Sequence, residues 1–260
     1  MDNNLAVVVV ADFKYLRKYL KKFLFDLREV GEYNGTLIIL TSIFTPTFIF
    51  FLNKNKDNVI VKRFKKIKFH KNIEKLLNSL NTNGQPNRNK TKKFQWHKIH
   101  LFDEYFKKWN YVFFLDINMK IHYPINPILK NTPSGQLFAR SDSYPDFKNK
   151  LSSQFDNESK FFLELNKKFD LNTTNYFQTG ILFFDTNIID LRTKKDLVDL
   201  AVKYPASITN EQGIFNIYFK FIKNCYKELP LIIDDFTTYF YWIVENKKVI
   251  ITKQNRVKYK

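Results

Sequence analysis

Cysteine is nearly absent: the 260-residue chain has one, Cys225, which excludes an internal disulfide and any Cys-rich zinc site. Glycine is scarce at 6 residues, and none builds the Gly-rich phosphate loop of a Walker or dinucleotide-binding motif. There is no nucleophile elbow. The 4 histidines, His70, His97, His100 and His122, show no metal-ligand spacing with Cys or acidic partners. His97 and His100 share a helix face without a third ligand and read as structural or solvent-facing. Long apolar runs are lacking too. The stretch around Phe44–Leu52 contains Pro46 and falls far short of a membrane span. Leu5–Ala11 is too short and too β-branched for a signal segment, and no basic region precedes it. These absences predict a soluble, cytoplasmic protein without a membrane span.

Acidic charge is in the minority, with 25 Asp+Glu against 43 Lys+Arg and a formal charge of +18. A basic surface attracts polyanions, including nucleic acid and nucleotide diphosphates. The charge is spread along the chain in local runs such as Lys62-Arg63-Phe64-Lys65-Lys66 and Arg88-Asn89-Lys90-Thr91-Lys92-Lys93. No zinc-finger, homeodomain or RNA-recognition signature accompanies it, so no specific nucleic-acid partner is expected. A basic nucleic-acid-binding module remains the alternative from a different functional class. A hydrophobic content of 44% suffices for a sizeable core, and the length fits one domain.

Apolar runs and helical spacings alternate through the first half. Leu5–Val10 reads as a buried strand, Phe13–Val30 as a helix ended by Gly31, Thr36–Leu40 and Asn58–Arg63 as strands, and Ile73–Leu80 as a short helix. Asn81–Lys93 is polar and turn-rich, Phe94–Lys108 is helical, and Tyr111–Leu115 is a strand. This predicts an α/β fold, a mostly parallel central sheet flanked by helices. The second half is more irregular, with strands at Gln136–Ala139, Tyr176–Asp185 and Val249–Thr252. Helices are expected over Asp146–Phe169, Lys195–Lys203 and Asn210–Phe221.

The strand Tyr111-Val112-Phe113-Phe114-Leu115 stops at Asp116, with Asn118 two residues on. Side chains at i and i+2 of an extended segment point the same way, so the two oxygens converge at the mouth of the strand. In an α/β sheet that mouth is where ligands bind. Hard oxygens suit Mg²⁺ or Mn²⁺ holding a phosphate. The structural alternative is a strand ending in an Asx turn.

Six segments, in order, resemble the GT-A glycosyltransferases, and within them the glycogenin-like family 8. They are Ala11-Asp12-Phe13-Lys14-Tyr15, Phe94-Gln95-Trp96-His97-Lys98, Phe114-Leu115-Asp116-Ile117-Asn118, Ala139-Arg140-Ser141-Asp142, Tyr176-Phe177-Gln178-Thr179-Gly180, and Thr209-Asn210-Glu211-Gln212-Gly213 with Asn216. Glu228-Leu229-Pro230 falls where the family often has Leu-Pro. The resemblance implies a GT-A domain over residues 1–260, with a nucleotide-binding half at 1–123 and a sugar and acceptor half at 124–260. It implies transfer of a hexose from a nucleotide-diphosphate sugar, UDP-glucose or UDP-galactose first, with retention of configuration. Donor-binding residues would be Ala11, Asp12, Phe13, Tyr15, Lys98, Leu115, Asp116, Ile117, Asn118, Arg140, Asp142, Gln178, Thr179, Gly180, Gln212 and Lys253. Asp142, Glu211 and Gln212 are the catalytic candidates, and Asp116 and Asn118 the ligands of a divalent Mn²⁺ or Mg²⁺.

Two departures from the family pattern stand out. Asn118 replaces the second Asp of the metal motif, and the late family His is missing, with Lys253 in roughly its place. A weaker metal site, a lysine that replaces part of the ion's charge, and catalysis without metal are all compatible with this pattern. A sugar nucleotidyltransferase would show a Gly-rich, Arg-containing loop after the first strand, and Ala11-Asp12-Phe13-Lys14 is not one. The composition and the tail resemble glycosyltransferases of giant DNA viruses, which would place the protein in a host cytoplasm.

Overall fold

The computed structural model describes residues 4–46, 58–82, 84–141, 149–240 and 248–253. Its core is a seven-stranded sheet in the order β3-β2-β1-β4-β7-β6-β8. The strands are β1 (Leu5–Val10), β2 (Thr36–Ser42), β3 (Val59–Phe64), β4 (Tyr111–Leu115), β6 (Leu137–Arg140), β7 (Gln178–Asp185) and β8 (Tyr226–Glu228). Of these, only β7 runs against the rest. A smaller sheet has the order β5-β11-β10-β9, from Lys120–Ile121, Val249–Thr252, Phe236–Phe240 and Ile232–Ile233.

The central strands are apolar on both faces because both faces are covered. Ala6 and Val8 of β1, with Val112 and Phe114 of β4, enter one apolar cluster. Val7 and Val9, with Phe113 and Leu115, enter the other. The covering helices are α1 (Phe13–Phe25), α2 (Lys71–Ser79), α3 (Arg88–Thr91), α4 (Asn126–Lys130), α5 (Lys160–Phe169), α6 (Thr193–Lys203) and α7 (Glu211–Ile217). Helix α1 starts at Asp12, whose side chain accepts from the Tyr15 backbone N–H at 2.9 Å.

The alternating α/β pattern is as predicted, and several elements differ in kind. The expected helix over Phe94–Lys108 is two 3₁₀ segments, Lys93–Phe102 and Glu104–Lys108, because Asp103 is extended and caps the second through the Tyr105 N–H. The expected helix over Asp146–Phe169 begins outside the described residues. Within them it is a short 3₁₀ turn at Leu151–Gln154, then an extended Phe155, then α5 capped by Ser159. Both long helix expectations ending at Val30 and Phe221 close in π-turns, Asp26–Val30 and Tyr218–Ile222.

This topology places the site. From β1 the chain winds outward through β2 and β3, then crosses back to β4 on the other side of β1. The carboxyl ends of β1 and β4 therefore flank a switch point, where open α/β sheets bind ligands. Because β7 is reversed, its beginning lies at the same edge, and the Asp116 N–H donates to the Gly180 carbonyl at 2.8 Å. Helix α7 is fixed to that beginning by Asn216. Its amide accepts from the Phe177 N–H and donates to the Phe177 carbonyl, each at 2.8 Å, and the residue is fully buried. Asn216→Ala leaves both backbone groups unpaired and is expected to cost about 2–4 kcal/mol. The check is a lower urea midpoint at unchanged m-value.

Candidate active site

A cleft of about 830 Å³ opens at this edge of the sheet. Its floor carries Asp116, Asn118, Lys98, Glu211 and Lys253, brought together from four distant parts of the chain. Asp116 directly follows β4, and a turn closed by the Met119 N–H on the Asp116 carbonyl at 2.9 Å brings Asn118 round beside it. The two side-chain oxygens do converge, through this turn and not through an extended strand. Lys253 binds both: its ammonium contacts Asp116 Oδ2 and donates to Asn118 Oδ1 at 3.0 Å.

Lys98 reaches the same carboxylate from the 3₁₀ helix on the other side. Its Nζ lies 3.0 Å from Asp116 Oδ1 and 3.1 Å from Glu211 Oε1, and donates to the Thr179 carbonyl at 2.8 Å. It is 4% exposed, so it is a buried ion-pair centre and not a surface lysine. Burial disfavours its charge, but Asp116 and Glu211 outweigh that and raise its pKa. Burial likewise works against the Asp116 carboxylate, and Lys253 and Lys98 override it, holding the group at about 2.

Thr179 organises the other wall. Its N–H donates to Gln212 Oε1 at 3.1 Å and its hydroxyl to Glu211 Oε1 at 2.7 Å. Gln212 Nε2 in turn donates to Gln154 Oε1 at 2.7 Å. Glu211 is 1% exposed, and its Oε2 has no hydrogen-bond partner among the described residues. Gly180 is where close approach matters: a Cβ there would stand 2.8 Å from Met119 Cε and 3.4 Å from Asp116 Oδ2.

Of the remaining sequence candidates, Ala11, Asp12, Tyr15, Ile117, Gln178, Thr179, Gly180 and Gln212 line the cleft. Tyr15 is 38% exposed, and its ring lies 5.6 Å from that of Tyr19. Phe13 and Leu115 are not among the lining residues, and Leu115 is fully buried in the core. Arg140 is 1% exposed, donates to the Leu229 carbonyl at 2.8 Å, lies near Glu228, and is not among the lining residues. The apolar setting of Leu137–Arg140 turns this arginine into a buried clamp on the Leu229 backbone. Asp142 lies outside the described residues.

Asn210, a good cap by residue type, makes no side-chain cap. Its amide donates instead to the Lys92 carbonyl at 3.0 Å and Gln95 Oε1 at 2.8 Å, tying α7 to the opposite wall. His97 and His100 are structural and buried. They bond the Thr41 and Lys65 carbonyls at 3.0 and 2.9 Å, and burial lowers their pKa values to about 4 and about 3. Sequence reasoning did not single out Gln154, or the lining cations Lys66, Lys68, Arg88, Lys90, Lys92 and Lys93. The basic runs themselves were the signal for the last group.

The donor set fits a resident divalent ion poorly. Its hard oxygens at the strand mouth are Asp116 and Asn118, both engaged by Lys253, and the third oxygen ligand on the cleft floor, the Glu211 carboxylate, is 1% exposed and paired with Lys98. Among the described residues no group of three His, Cys, Asp or Glu side chains could hold a metal ion. Two unit charges about 4 Å apart interact by roughly 4 kcal/mol at an effective dielectric near 20, and an ion of charge two would feel about double that from each ammonium.

No protein-family model matches the chain, and no curated protein matches it by sequence. Solved structures match it in fold. The galactosyltransferase LgtC, in complex with donor and acceptor sugar analogues, is similar with a TM-score of 0.55 at 12% identity, over 86% of this chain and 72% of its own. Core-mannan synthase A (CmsA/Ktr4) from Aspergillus fumigatus, in an Mn/GDP form, gives 0.56 at 8% identity over 86% and 72%. Mouse xyloside xylosyltransferase 1 gives 0.53 at 12% identity over 98% of each chain. The bifunctional WbbM gives 0.56 at 14% identity, and there the chain spans 46% of the longer protein. The fold is that of the GT-A glycosyltransferases. No helix among the described residues is long and apolar enough to cross a membrane.

Proposed function

We propose that the protein is a glycosyltransferase that moves a hexose from a nucleotide-diphosphate sugar, UDP-glucose or UDP-galactose in the first instance, to an acceptor hydroxyl with retention of configuration. The observation that carries this reading is the convergence of Asp116, Lys98, Lys253 and Glu211 in one cleft at the sheet's switch point. The nucleotide half, 1–123, brings Tyr15 for the base and the Asp116 turn for the pyrophosphate. The half from 124 onward brings Gln178, Thr179, Gly180, Glu211 and Gln212 to the sugar side.

The chemistry follows from the charges. In transfer the bond from the anomeric carbon to the β-phosphate oxygen breaks, its electron pair staying on phosphate. The acceptor oxygen bonds the anomeric carbon, and its proton passes to the departing phosphate. Positive charge at the phosphate end and negative or amide oxygens at the sugar end both stabilise that transition state. In this reading Glu211 and Gln212, which line the cleft, take the second role, and retention is supported by the resemblance to family 8. The fully engaged Lys98 holds Asp116, Glu211 and Thr179 in register.

The test is a panel of UDP- and GDP-sugars assayed for melting-temperature shift and for turnover, with and without Mn²⁺. A UDP-hexose is expected to raise the melting temperature by a few degrees and to be slowly hydrolysed. A folded protein that no nucleotide sugar stabilises, and that turns none over, would sink the proposal.

A further inference from the structure

We infer that Lys253 is a built-in replacement for the divalent cation, so that this chain grips the donor pyrophosphate without metal. This deepens the donor-binding reading and rests on it. An ammonium has three N–H donors. Among the described residues, Lys253 uses two, on Asp116 Oδ2 and Asn118 Oδ1, leaving the third for a ligand oxygen. Lys98 has its three spent on the Thr179 carbonyl, Asp116 and Glu211. So of the two ammoniums on Asp116, Lys253 is the one able to take a phosphate oxygen, and its side chain is 17% exposed against 6% for Lys98.

The position of Lys253 is fixed by the fold. Strand β11 ends at Thr252 and pairs antiparallel with β5, Thr252 opposite Lys120 and Ile251 opposite Ile121. Strand β5 begins immediately after the Asp116–Met119 turn, so one short stretch of chain both presents the two oxygens and hydrogen-bonds the strand that delivers the lysine. The His122 N–H donates to the Ile250 carbonyl at 2.9 Å, and the His122 ring bonds Thr252 Oγ1 at 2.8 Å. Ile251 and Thr252 are fully buried. The substitution of Asn for a second carboxylate belongs to the same logic. Lys98 and Lys253 are matched by the two carboxylates Asp116 and Glu211, and a neutral amide oxygen at Asn118 supplies a further acceptor without excess negative charge that would repel the pyrophosphate.

Titration calorimetry of the full chain with UDP, in EDTA and in Mn²⁺, tests this. The dissociation constant in EDTA is expected to lie within about threefold of that in Mn²⁺. Lys253→Met is expected to weaken UDP binding roughly 10- to 100-fold, the worth of a charge-assisted contact, while uridine, which has no phosphate, binds variant and wild type alike. Lys253→Arg, which keeps the charge, retains most of the UDP affinity. UDP binding by the wild type that EDTA abolishes and Mn²⁺ restores overturns the inference and leaves the transferase reading standing. So does a folded Lys253→Met that binds UDP like the wild type. If Lys253→Met does not fold, the EDTA comparison on the wild type decides alone. Binding of no nucleotide in either buffer overturns the donor reading and this inference with it.

Discussion

Lys98→Met is expected to destabilise the folded chain by about 3–5 kcal/mol, the cost of leaving the buried Glu211 carboxylate without its counter-ion, while Asp116 keeps only Lys253. Glu211 at 1% exposure and Asp116 both lean on this ammonium, and the Thr179 carbonyl loses its donor as well. The pH dependence separates this from the cost of a simple cavity. In the wild type the Asp116 carboxyl is depressed to about 2, so its contribution is fully present above pH 4 or so and is lost as pH falls toward 2. In the variant Asp116 keeps Lys253 but loses Lys98, so its burial is opposed by one cation in place of two and its pKa is depressed less. The stability gap between wild type and variant therefore narrows as pH falls from about 4 toward 2. Urea midpoints at a series of pH values read it directly, and a gap that is constant with pH would rule the ion-pair account out.

Much of the architecture was written in local pattern. Leu5–Val10, Tyr111–Leu115 and Val249–Thr252 are strands because β-branched and aromatic runs of that length pack on covered sheet faces, and their observed bounds match the runs. The place of Asp116 in the cleft was legible because an apolar run that ends on a carboxylate marks the mouth of a strand. Its partner was harder to read: Lys253 lies 137 residues further on and is brought in by pairing of β11 with a two-residue strand, which has no periodicity to detect. Lys98 could be placed only through the family resemblance of its segment, since a buried lysine and a surface lysine look alike in sequence. Arg140 shows the converse. Its position in a matching segment suggested a ligand contact, whereas the bonds it makes to the 228–229 backbone and side chains are long-range facts. The helix over Phe94–Lys108 was over-read because its apolar residues are buried on every side, so a 3₁₀ path satisfies them as well as an α-helix.

Glu211→Gln is expected to lower kcat by about 10²–10³ with KM changed only a few-fold, the size of effect seen when one charge aimed at a transition state is removed. Glutamine keeps the shape and can still accept from Thr179 Oγ1 through its carbonyl oxygen. What it removes is the negative charge proposed to face the sugar, at an oxygen, Oε2, that is buried and has no partner among the described residues. Native proteins seldom leave such an atom unsatisfied, and where they do a ligand or a developing charge is the usual counterpart. The stability readout runs the other way from the kinetic one. Neutralising a carboxylate that is 1% exposed relieves its desolvation, while Lys98 keeps Asp116 as a partner at 3.0 Å, so the melting temperature should hold or change by only a few degrees. Single-turnover donor consumption and thermal melts on the same preparation separate the two effects. Loss of folding without a selective loss of kcat would make Glu211 a structural group and move the charge that faces the anomeric carbon elsewhere.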